Sequence, residues 1–294
     1  MFEVPFKEAP NSFSTEKMLL KAIKCALRRL PKYLGIGNER ILKTYSSYEK
    51  ALYESHTYED PDIVRTVFEK TKILHNSLKD NAIRWVHQYQ TSQNMFVLTL
   101  LDPHRPLHVL ELGGACGATY MELTHLLSLP IGAWHIVESR IMVETARSVF
   151  EDETLRFYFD LSTGVADLAE RDLLFAQGVL QYTPDPIKTW MNILDLNFSH
   201  VYLTRTHVSD GLQHPVITVA YQNLSQHGPG CMPNGLADKE TSQPLTIVPL
   251  EQLLDRIPDR YRVLYMFDEG SRILETNSVK IPGKIAGLLL KKVS

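Results

Sequence analysis

Cysteine is scarce in this chain. Only three occur among 294 residues, Cys25, Cys116 and Cys231, and they lie far apart with no CxxC pair. Disulfide frameworks and zinc sites both require several cysteines at characteristic spacings, so neither is expected here. We therefore expect a protein of the reducing cytoplasm without a metal site.

Long apolar runs and a surplus of positive charge are also missing. No stretch reaches the roughly 18 apolar residues of a membrane-spanning helix, and the opening MFEVPFKEAP lacks the apolar centre of a secretory signal. The formal net charge is −3, with 31 Lys and Arg against 34 Asp and Glu. Nucleic-acid binders need an excess of cations, so a nucleic acid is not an expected partner.

The chain is long enough for one large domain or one domain with an appendage, and its hydrophobic content of 44% is that of a globular protein. Apolar spacing predicts helices over Thr15–Leu30 and Asn81–Leu101. Two prolines in the segment DPHRP then break the helical pattern. We predict a helical cap or lid over residues 1–101 and a second domain over residues 102–294.

From residue 102 onwards, short apolar strands alternate with helical segments. The strands are predicted at LHVLEL, AWHIVE, LRFYF, DLLFAQ and HVYLTRT. This alternation predicts a mostly parallel, doubly wound, Rossmann-like α/β sheet. A helix at VPLEQLLDRI and strands at YRVLYMF and KIAGLLLKK predict an antiparallel C-terminal hairpin. Class I methyltransferases complete the sheet in this way, whereas a dehydrogenase would add another parallel unit.

The segment VLELGGACGATY predicts a strand, a glycine-rich turn and a helix. Gly113 and Gly114 permit a sharp turn and a closely approaching ligand, and Gly117 permits tight packing where the helix begins. The spacing differs from the dinucleotide fingerprint, and Glu111 at the strand end would repel a pyrophosphate. A cation suits this acid, which favours S-adenosylmethionine with its ammonium and sulfonium groups. A purely structural turn is the alternative.

Three further strand ends carry candidate donor-binding residues. Glu138 follows the second strand, where a carboxylate accepts hydrogen bonds from ribose hydroxyls, or where it serves only as a helix-start charge. Asp160 and Leu161 follow the third strand and are placed to meet the adenine edge, with a plain loop as the alternative. Gln177 ends the fourth strand as a further candidate for cofactor binding, and Gly178 and Val179 would line the floor beneath the sulfonium.

The acceptor side is predicted from the fourth and fifth strands. Gln181 and Tyr182 would lie near the methyl acceptor, or Tyr182 would be only a packing residue. Arg205 is a candidate for holding an anionic substrate bidentately. His207 is a candidate general base, with a surface loop histidine as the alternative.

The cap supplies two further sets of candidates. Tyr45, Tyr48 and Tyr58 are predicted lid residues that complete the acceptor pocket. The predicted helix Thr15–Leu30 carries five Lys or Arg residues beside an apolar stripe. Such a helix docks on an anionic membrane surface, on a second copy in a homodimer, or on the chain's own helices.

Several of these segments together resemble a family of bacterial methyltransferases of unassigned substrate, often encoded near polysaccharide or secondary-metabolite biosynthesis genes. The resemblance rests on the basic opening helix and on YSSYEKALYESHTYEDPDI, VLELGGACGATY, WHIVE, LRFYF, GVLQYTPDP and LTRT. It implies the class I methyltransferase fold with S-adenosylmethionine as cofactor, and it supplies no firm catalytic residue. The family more often has a third glycine where Ala115 stands.

Three kinds of function remain open from the sequence. The main hypothesis is methyl transfer from S-adenosylmethionine to an oxygen or nitrogen nucleophile of a small molecule. A non-catalytic protein that binds the donor or S-adenosylhomocysteine is the alternative. A nucleotide-dependent oxidoreductase is a third class, against which Glu111 and the glycine spacing argue.

Overall fold

The computed structural model describes residues 41–79, 88–101, 105–277 and 280–293. All of them belong to the second of two compact units, residues 41–294, and the first unit comprises residues 1–40. The helix predicted over Thr15–Leu30 and the first part of the helix predicted from Asn81 lie outside the described residues.

Helices in the described residues either precede the sheet or connect its strands. The helices are α1 (Tyr48–Tyr53), α2 (Pro61–Lys79), α3 (Gln88–Thr99), α4 (Ala118–Leu126), α5 (Arg140–Phe150), α6 (Leu161–Ala166), α7 (Pro186–Asp195) and α8 (Leu250–Asp255), with single 3-10 turns at Leu180–Tyr182 and Leu224–Gln226.

The strands occupy the segments where the five predicted strands lie, with two long strands near the C-terminus and two others between. The strands are β1 (Leu107–Leu112), β2 (Ile131–Val137), β3 (Leu155–Tyr158), β4 (Leu173–Gln177), β5 (His200–Ser209), β6 (Val216–Asn223), β7 (Glu240–Pro249), β8 (Tyr261–Glu275) and β9 (Lys280–Lys292).

The main sheet has the order β3-β2-β1-β4-β5-β9-β8. Neighbours among β1 to β5 pair in parallel, and β9 is inserted antiparallel between β5 and β8. The doubly wound α/β fold and its antiparallel C-terminal hairpin are therefore confirmed. The carboxyl ends of the five parallel strands meet at one edge, where ligands bind in sheets of this kind.

The segment between β5 and β8 differs from the sequence prediction. A helix was predicted from residue 248, but β7 runs to Pro249 and α8 begins only at Leu250. β7 pairs antiparallel with β6 and joins β5 only at Val208 and Ser209. Pro244 breaks the apolar pattern of β7 and lacks a backbone donor, so this strand was missed.

Side chains of alternate residues fill two cores, one on each face of the sheet. Val109 of β1 joins Trp134 and Phe175 beneath α2, α4 and α5, whereas Leu110 joins Trp190 and the other α7 side chains on the opposite face. Burial on both faces is why the parallel strands have continuous apolar runs. No helix of the described residues is long and apolar enough to cross a membrane.

One buried lysine fastens α2 to the loop after β6. The Lys70 side chain is 2% exposed. Its Nζ donates to the carbonyl oxygens of Ser225 at 3.0 Å and Gly228 at 3.1 Å, and also to that of His227. Burying an ammonium group is costly unless its protons are bonded, and here three carbonyls bond them.

Candidate functional site

The glycine turn after β1 is packed too tightly for side chains. Gly113 has a φ of +74°, and a Cβ at this position would lie 2.1 Å from Cγ2 of Val179. A Cβ on Gly114 would lie 2.7 Å from the carboxyl carbon of Glu111, and Gly117 has a φ of +83°. The glycines predicted to permit a sharp turn and close approach are therefore required by geometry at this edge.

Glu111 lies beneath this turn as a buried acid. The residue is 1% exposed, and its Oε2 accepts a hydrogen bond of 2.8 Å from the indole N–H of Trp134. Removal from water raises the pKa of Glu111 to about 7, against the opposing effect of the Trp134 bond. Because the Glu111 carboxylate is enclosed, its predicted attraction for a cationic ligand would act from beneath the turn.

Glu138 joins the tip of β2 to the glycine turn. Its Oε1 accepts from the backbone N–H of Ala115 at 3.1 Å, and its Oε2 accepts from the N–H of Ser139 at 2.7 Å. Ala115 adopts a left-handed φ of +49° within this compact loop. Each carboxylate oxygen keeps further acceptor capacity. Burial raises the pKa of Glu138.

Asp160 and Leu161 lie where β3 gives way to α6. Asp160 is the N-cap of α6, and its carboxylate accepts from the backbone and hydroxyl groups of Ser162 and Thr163. These side-chain bonds lower the pKa of Asp160 to about 2. Its first structural role is thus to cap a helix, and the predicted adenine contact remains a prediction.

The tips of β4 and β5 lie side by side, since Gln177 pairs with Thr204 in the parallel register. Gln177 Oε1 accepts from Asn94 of α3 at 3.2 Å. A Cβ placed on Gly178 would lie 3.7 Å from Nε and 3.8 Å from Cζ of Arg205. The Arg205 guanidinium therefore lies directly over Gly178.

Arg205 is an exposed cation without a counter-charge in the described part of the chain. No carboxylate of those residues lies within 4.0 Å of its guanidinium. Its backbone carbonyl accepts a bond of 3.0 Å from Nε2 of Gln181, which is 2% exposed. The Oε1 of Gln181 is buried with no hydrogen-bond partner among the described residues.

Two of the three predicted lid tyrosines meet Tyr182. The rings of Tyr58 and Tyr182 make an edge-to-face contact with 4.8 Å between centroids, and the Tyr48 hydroxyl donates to the Tyr182 carbonyl. Burial raises the pKa of Tyr58 well above its usual value, and the positive charge of Arg205 acts in the opposite direction. The predicted lid, acceptor and anion-binding residues thus lie near one another.

Tyr45 and His207 make their described contacts away from this cluster. The Tyr45 hydroxyl donates to Glu54 at 3.0 Å, and the ring lines a surface pocket of about 390 Å³ with Lys43. His207 is partly buried in β5, paired with Ile285 of β9. Their roles in acceptor binding and proton transfer remain predictions.

Sequence reasoning missed three residues that border the cluster. Asn94 binds Gln177, and Glu269 binds the backbone of Arg205. His227 lies edge-on to the Tyr58 ring, with 5.6 Å between centroids, and burial lowers its pKa to about 4. No local signal distinguished Glu269, because β8 contains other charged residues such as Asp268 and Arg272.

No family model matches the sequence, and no curated protein does. Solved structures similar in fold include an S-adenosylmethionine-dependent methyltransferase from Clostridium acetobutylicum ATCC 824, which is 11% identical with a TM-score of 0.42. The match covers 77% of this chain and 99% of that one. Magnesium protoporphyrin IX methyltransferase from Synechocystis PCC 6803 with bound SAM is 10% identical with a TM-score of 0.42, covering 85% and 100% of the two chains. The CcbJ methyltransferase from Streptomyces caelestis is 14% identical with a TM-score of 0.41, covering 69% and 95%. These likenesses are loose, and the fold assignment rests on the strand order.

Proposed function

We propose that this chain is an S-adenosylmethionine-dependent methyltransferase that acts on an oxygen or nitrogen nucleophile of a small molecule in the cytoplasm. The observation that carries the proposal is Glu138. Its carboxylate stands at the tip of β2, bonded to the glycine turn through the Ala115 N–H, with acceptor capacity left on both oxygens. A ribose with two free hydroxyls matches this carboxylate.

The order of strands supports the same ligand. Asp160, Glu138, the glycine turn, Gly178 and Arg205 follow the strand order β3-β2-β1-β4-β5 along one edge, with about 4.8 Å between neighbouring strands. An elongated donor would place adenine at Asp160, ribose at Glu138 and its methionine portion over the glycine turn. Gln177 and Gly178 would then lie beneath the sulfonium.

The acceptor would bind beyond Gly178, between the strand tips and the cap. We propose that the described part of residues 1–101 forms a cap over the strand tips of residues 102–294. The described part of the cap supports this through Asn94 on Gln177 and Tyr48 on Tyr182. Arg205 would hold an anionic group, and His207 would accept the proton released by the nucleophile. Gln181 and Tyr182 would line the acceptor pocket.

Calorimetric titration with S-adenosylmethionine and S-adenosylhomocysteine tests the proposal. We expect both to bind the wild type, and Glu138→Ala to weaken them by about 1.5–3 kcal/mol, the effect of losing hydrogen bonds to a charged group. Glu144→Ala is the matched control, because Glu144 is an exposed acid on α5. No heat with either ligand at millimolar concentration contradicts the function, and unchanged affinity in Glu138→Ala contradicts the ribose contact.

Turnover is measured separately, with isotope-labelled methyl donor and a cell extract as the source of acceptor. Transfer of label into a small-molecule fraction supports the enzyme. Donor binding without transfer supports instead a non-catalytic protein that retains the fold.

A further inference from the structure

We propose that Glu269 is a positioning residue that holds the Arg205 guanidinium over Gly178, where it binds an anionic oxygen group of a ligand. The inference rests on the proposed function and adds a residue from outside the strand tips. It starts from irregular strand pairing, because β9 pairs with a register shift both with β5 and with β8.

Two bulges lie on opposite sides of β9 at neighbouring positions, one opposite Gly287 and the other between Ala286 and Ile285. On one side the register passes from Leu203↔Leu288 to Thr206↔Ala286, so two residues of β5 lie opposite Gly287. On the other side it passes from Asp268↔Ala286 to Gly270↔Ile285, so Glu269 is an extra residue in β8. Bulges re-aim side chains and occur beside active sites.

Gly287 has no side chain, which leaves room for the Glu269 side chain to cross β9. A Cβ on Gly287 would lie 2.6 Å from Oε1 of Glu269. The Glu269 side chain, 8% exposed, passes over this glycine and reaches β5 two strands away. No positive φ is recorded for Gly287, so the glycine is needed for space rather than for backbone conformation.

Among the described residues, the carboxylate of Glu269 accepts hydrogen bonds from two groups at the tip of β5 and from one side chain of α3. Its Oε2 accepts from the backbone N–H of Arg205 at 2.8 Å. Its Oε1 accepts from the Thr204 hydroxyl and from Nε2 of Gln93, the latter at 2.8 Å. A carboxylate has two acceptor oxygens and no hydrogen, so it suits three donors better than an amide does.

These bonds fix a backbone conformation that arginine seldom adopts. Arg205 has a φ of +57°, in the left-handed region that costs a non-glycine residue about 1 kcal/mol or more. Its N–H is bonded to Glu269 and its carbonyl to Gln181, so both sides of the residue are held. This conformation directs the side chain back over Gly178 instead of along the sheet.

A guanidinium held beside a ligand-binding edge without a counter-charge among the described residues is suited to a carboxylate or phosphate. Two ligands can bring such a group to Gly178. One is the carboxylate of the donor's methionine portion, and the other is an anionic group on the methyl acceptor. The shared chemistry is an anionic oxygen group, and the two sources are separated by experiment.

The test compares two disrupting variants with a neighbouring control. In Glu269→Gln, the new NH₂ group faces hydrogen-bond donors and cannot accept a bond from them. In Gly287→Ala, the new methyl group displaces the Glu269 carboxylate, while Glu269 and Arg205 themselves are unchanged. Asp268→Asn is the control, since Asp268 is exposed and, among the described residues, accepts a hydrogen bond from the Gly270 N–H alone. Circular dichroism first establishes that each variant is folded, and having two disrupting variants guards against the loss of one.

Calorimetry on the full chain then uses two sets of probes. The first is S-adenosylhomocysteine against its decarboxylated analogue. The second is acetate and inorganic phosphate, each titrated with and without S-adenosylhomocysteine present. We expect both disrupting variants to weaken one carboxylate or phosphate probe by about tenfold. The control and the decarboxylated analogue should change by less than about twofold.

Each outcome has a definite meaning. Loss confined to S-adenosylhomocysteine identifies the donor carboxylate, and loss confined to acetate or phosphate identifies an acceptor anion. Equal weakening of the decarboxylated analogue, or unchanged binding of every probe by folded variants, overturns the proposal. A wild type that binds no S-adenosylhomocysteine refutes the proposed function, while the anion titrations without it still test Arg205.

Discussion

Two strand ends at the ligand-binding edge, those of β1 and β5, use glycine in different ways. At the β1 end, the missing side chain of Gly113 lets the backbone turn closely against Val179. At the β5 end, Gly287 leaves room for the Glu269 side chain to cross a strand. At β1 the glycines and Glu111 follow one another in the sequence, so their pattern is visible locally, although they pack against Val179 of another segment. The arrangement at β5 has no such local pattern, because it depends on the register between β5, β8 and β9.

The largest effect should come from the catalytic candidate beyond the β5 bulge. If His207 is the general base, His207→Ala lowers turnover roughly 10²- to 10⁴-fold and leaves donor affinity nearly intact. Label transfer and donor titration measure the two quantities. His214→Ala is the control, because His214 is exposed in the loop before β6. Equal turnover in the two variants would contradict the role of His207 as general base, and the end of β5 would then have a binding role only.

Gly113→Ala tests the β1 end. Its Cβ would meet Val179 at 2.1 Å and its φ is +74°, so we expect a loss of about 3 kcal/mol in the free energy of unfolding. Gly211→Ala has a φ of +75° and no atom within 4 Å of its Cβ, so it isolates the backbone strain, about 1 kcal/mol. Urea denaturation compares them, and equal losses would show that close packing at β1 is unimportant.

Glu111→Gln should remove a pH dependence that belongs to the β1 end. The pKa of Glu111 is about 7 in the folded protein and ordinarily 4.5. Between these values the folded protein binds the proton more tightly than the unfolded chain, so wild-type stability falls as the pH rises.

The glutamine keeps an acceptor for Trp134 and carries no charge. Its stability relative to the wild type should rise between pH 4.5 and 7 and level off above, by on the order of 2–3 kcal/mol. Thermal unfolding of both proteins from pH 4.5 to 8 measures this difference. A difference that is constant with pH would contradict the raised pKa.

The smallest effect is expected where α1 contacts the 3-10 turn after β4. Tyr48→Phe removes the hydroxyl that donates to the Tyr182 carbonyl, and should lower the free energy of unfolding by about 1 kcal/mol. Tyr53→Phe is the control, since Tyr53 is 92% exposed on the same helix. Equal stability of the two variants would indicate that this contact does not hold the cap.

Local patterns were sufficient to predict the parallel part of the fold. Alternating strands and helices predicted β1 to β5, because the central strands are buried on both faces and have apolar runs. The glycine turn and Glu138 could be placed at strand ends because each directly follows its strand. Residues adjacent in sequence to a strand end are necessarily adjacent to it in space.

Contacts between distant segments could not be predicted in this way. Tyr45 and Tyr48 are three residues apart, yet one hydroxyl bonds Glu54 and the other bonds Tyr182. The contact of Glu269 with Arg205 spans 64 positions and depends on two bulges that no periodicity indicates. β7 was missed for a local reason, because Pro244 interrupts its apolar pattern, although the strand pairs with β6 from Glu240 to Ile247.

Because the Lys70 ammonium is buried against the loop after β6, chemical labelling of this amine reports on the opening of that loop. Acylating reagents cannot reach an amine that is 2% exposed and bonded to the carbonyls of Ser225, His227 and Gly228. Modification of Lys70 therefore requires this loop to separate from α2, and with it His227 from the Tyr58 ring. The mass gained at this one side chain over time records how often this loop separates from α2.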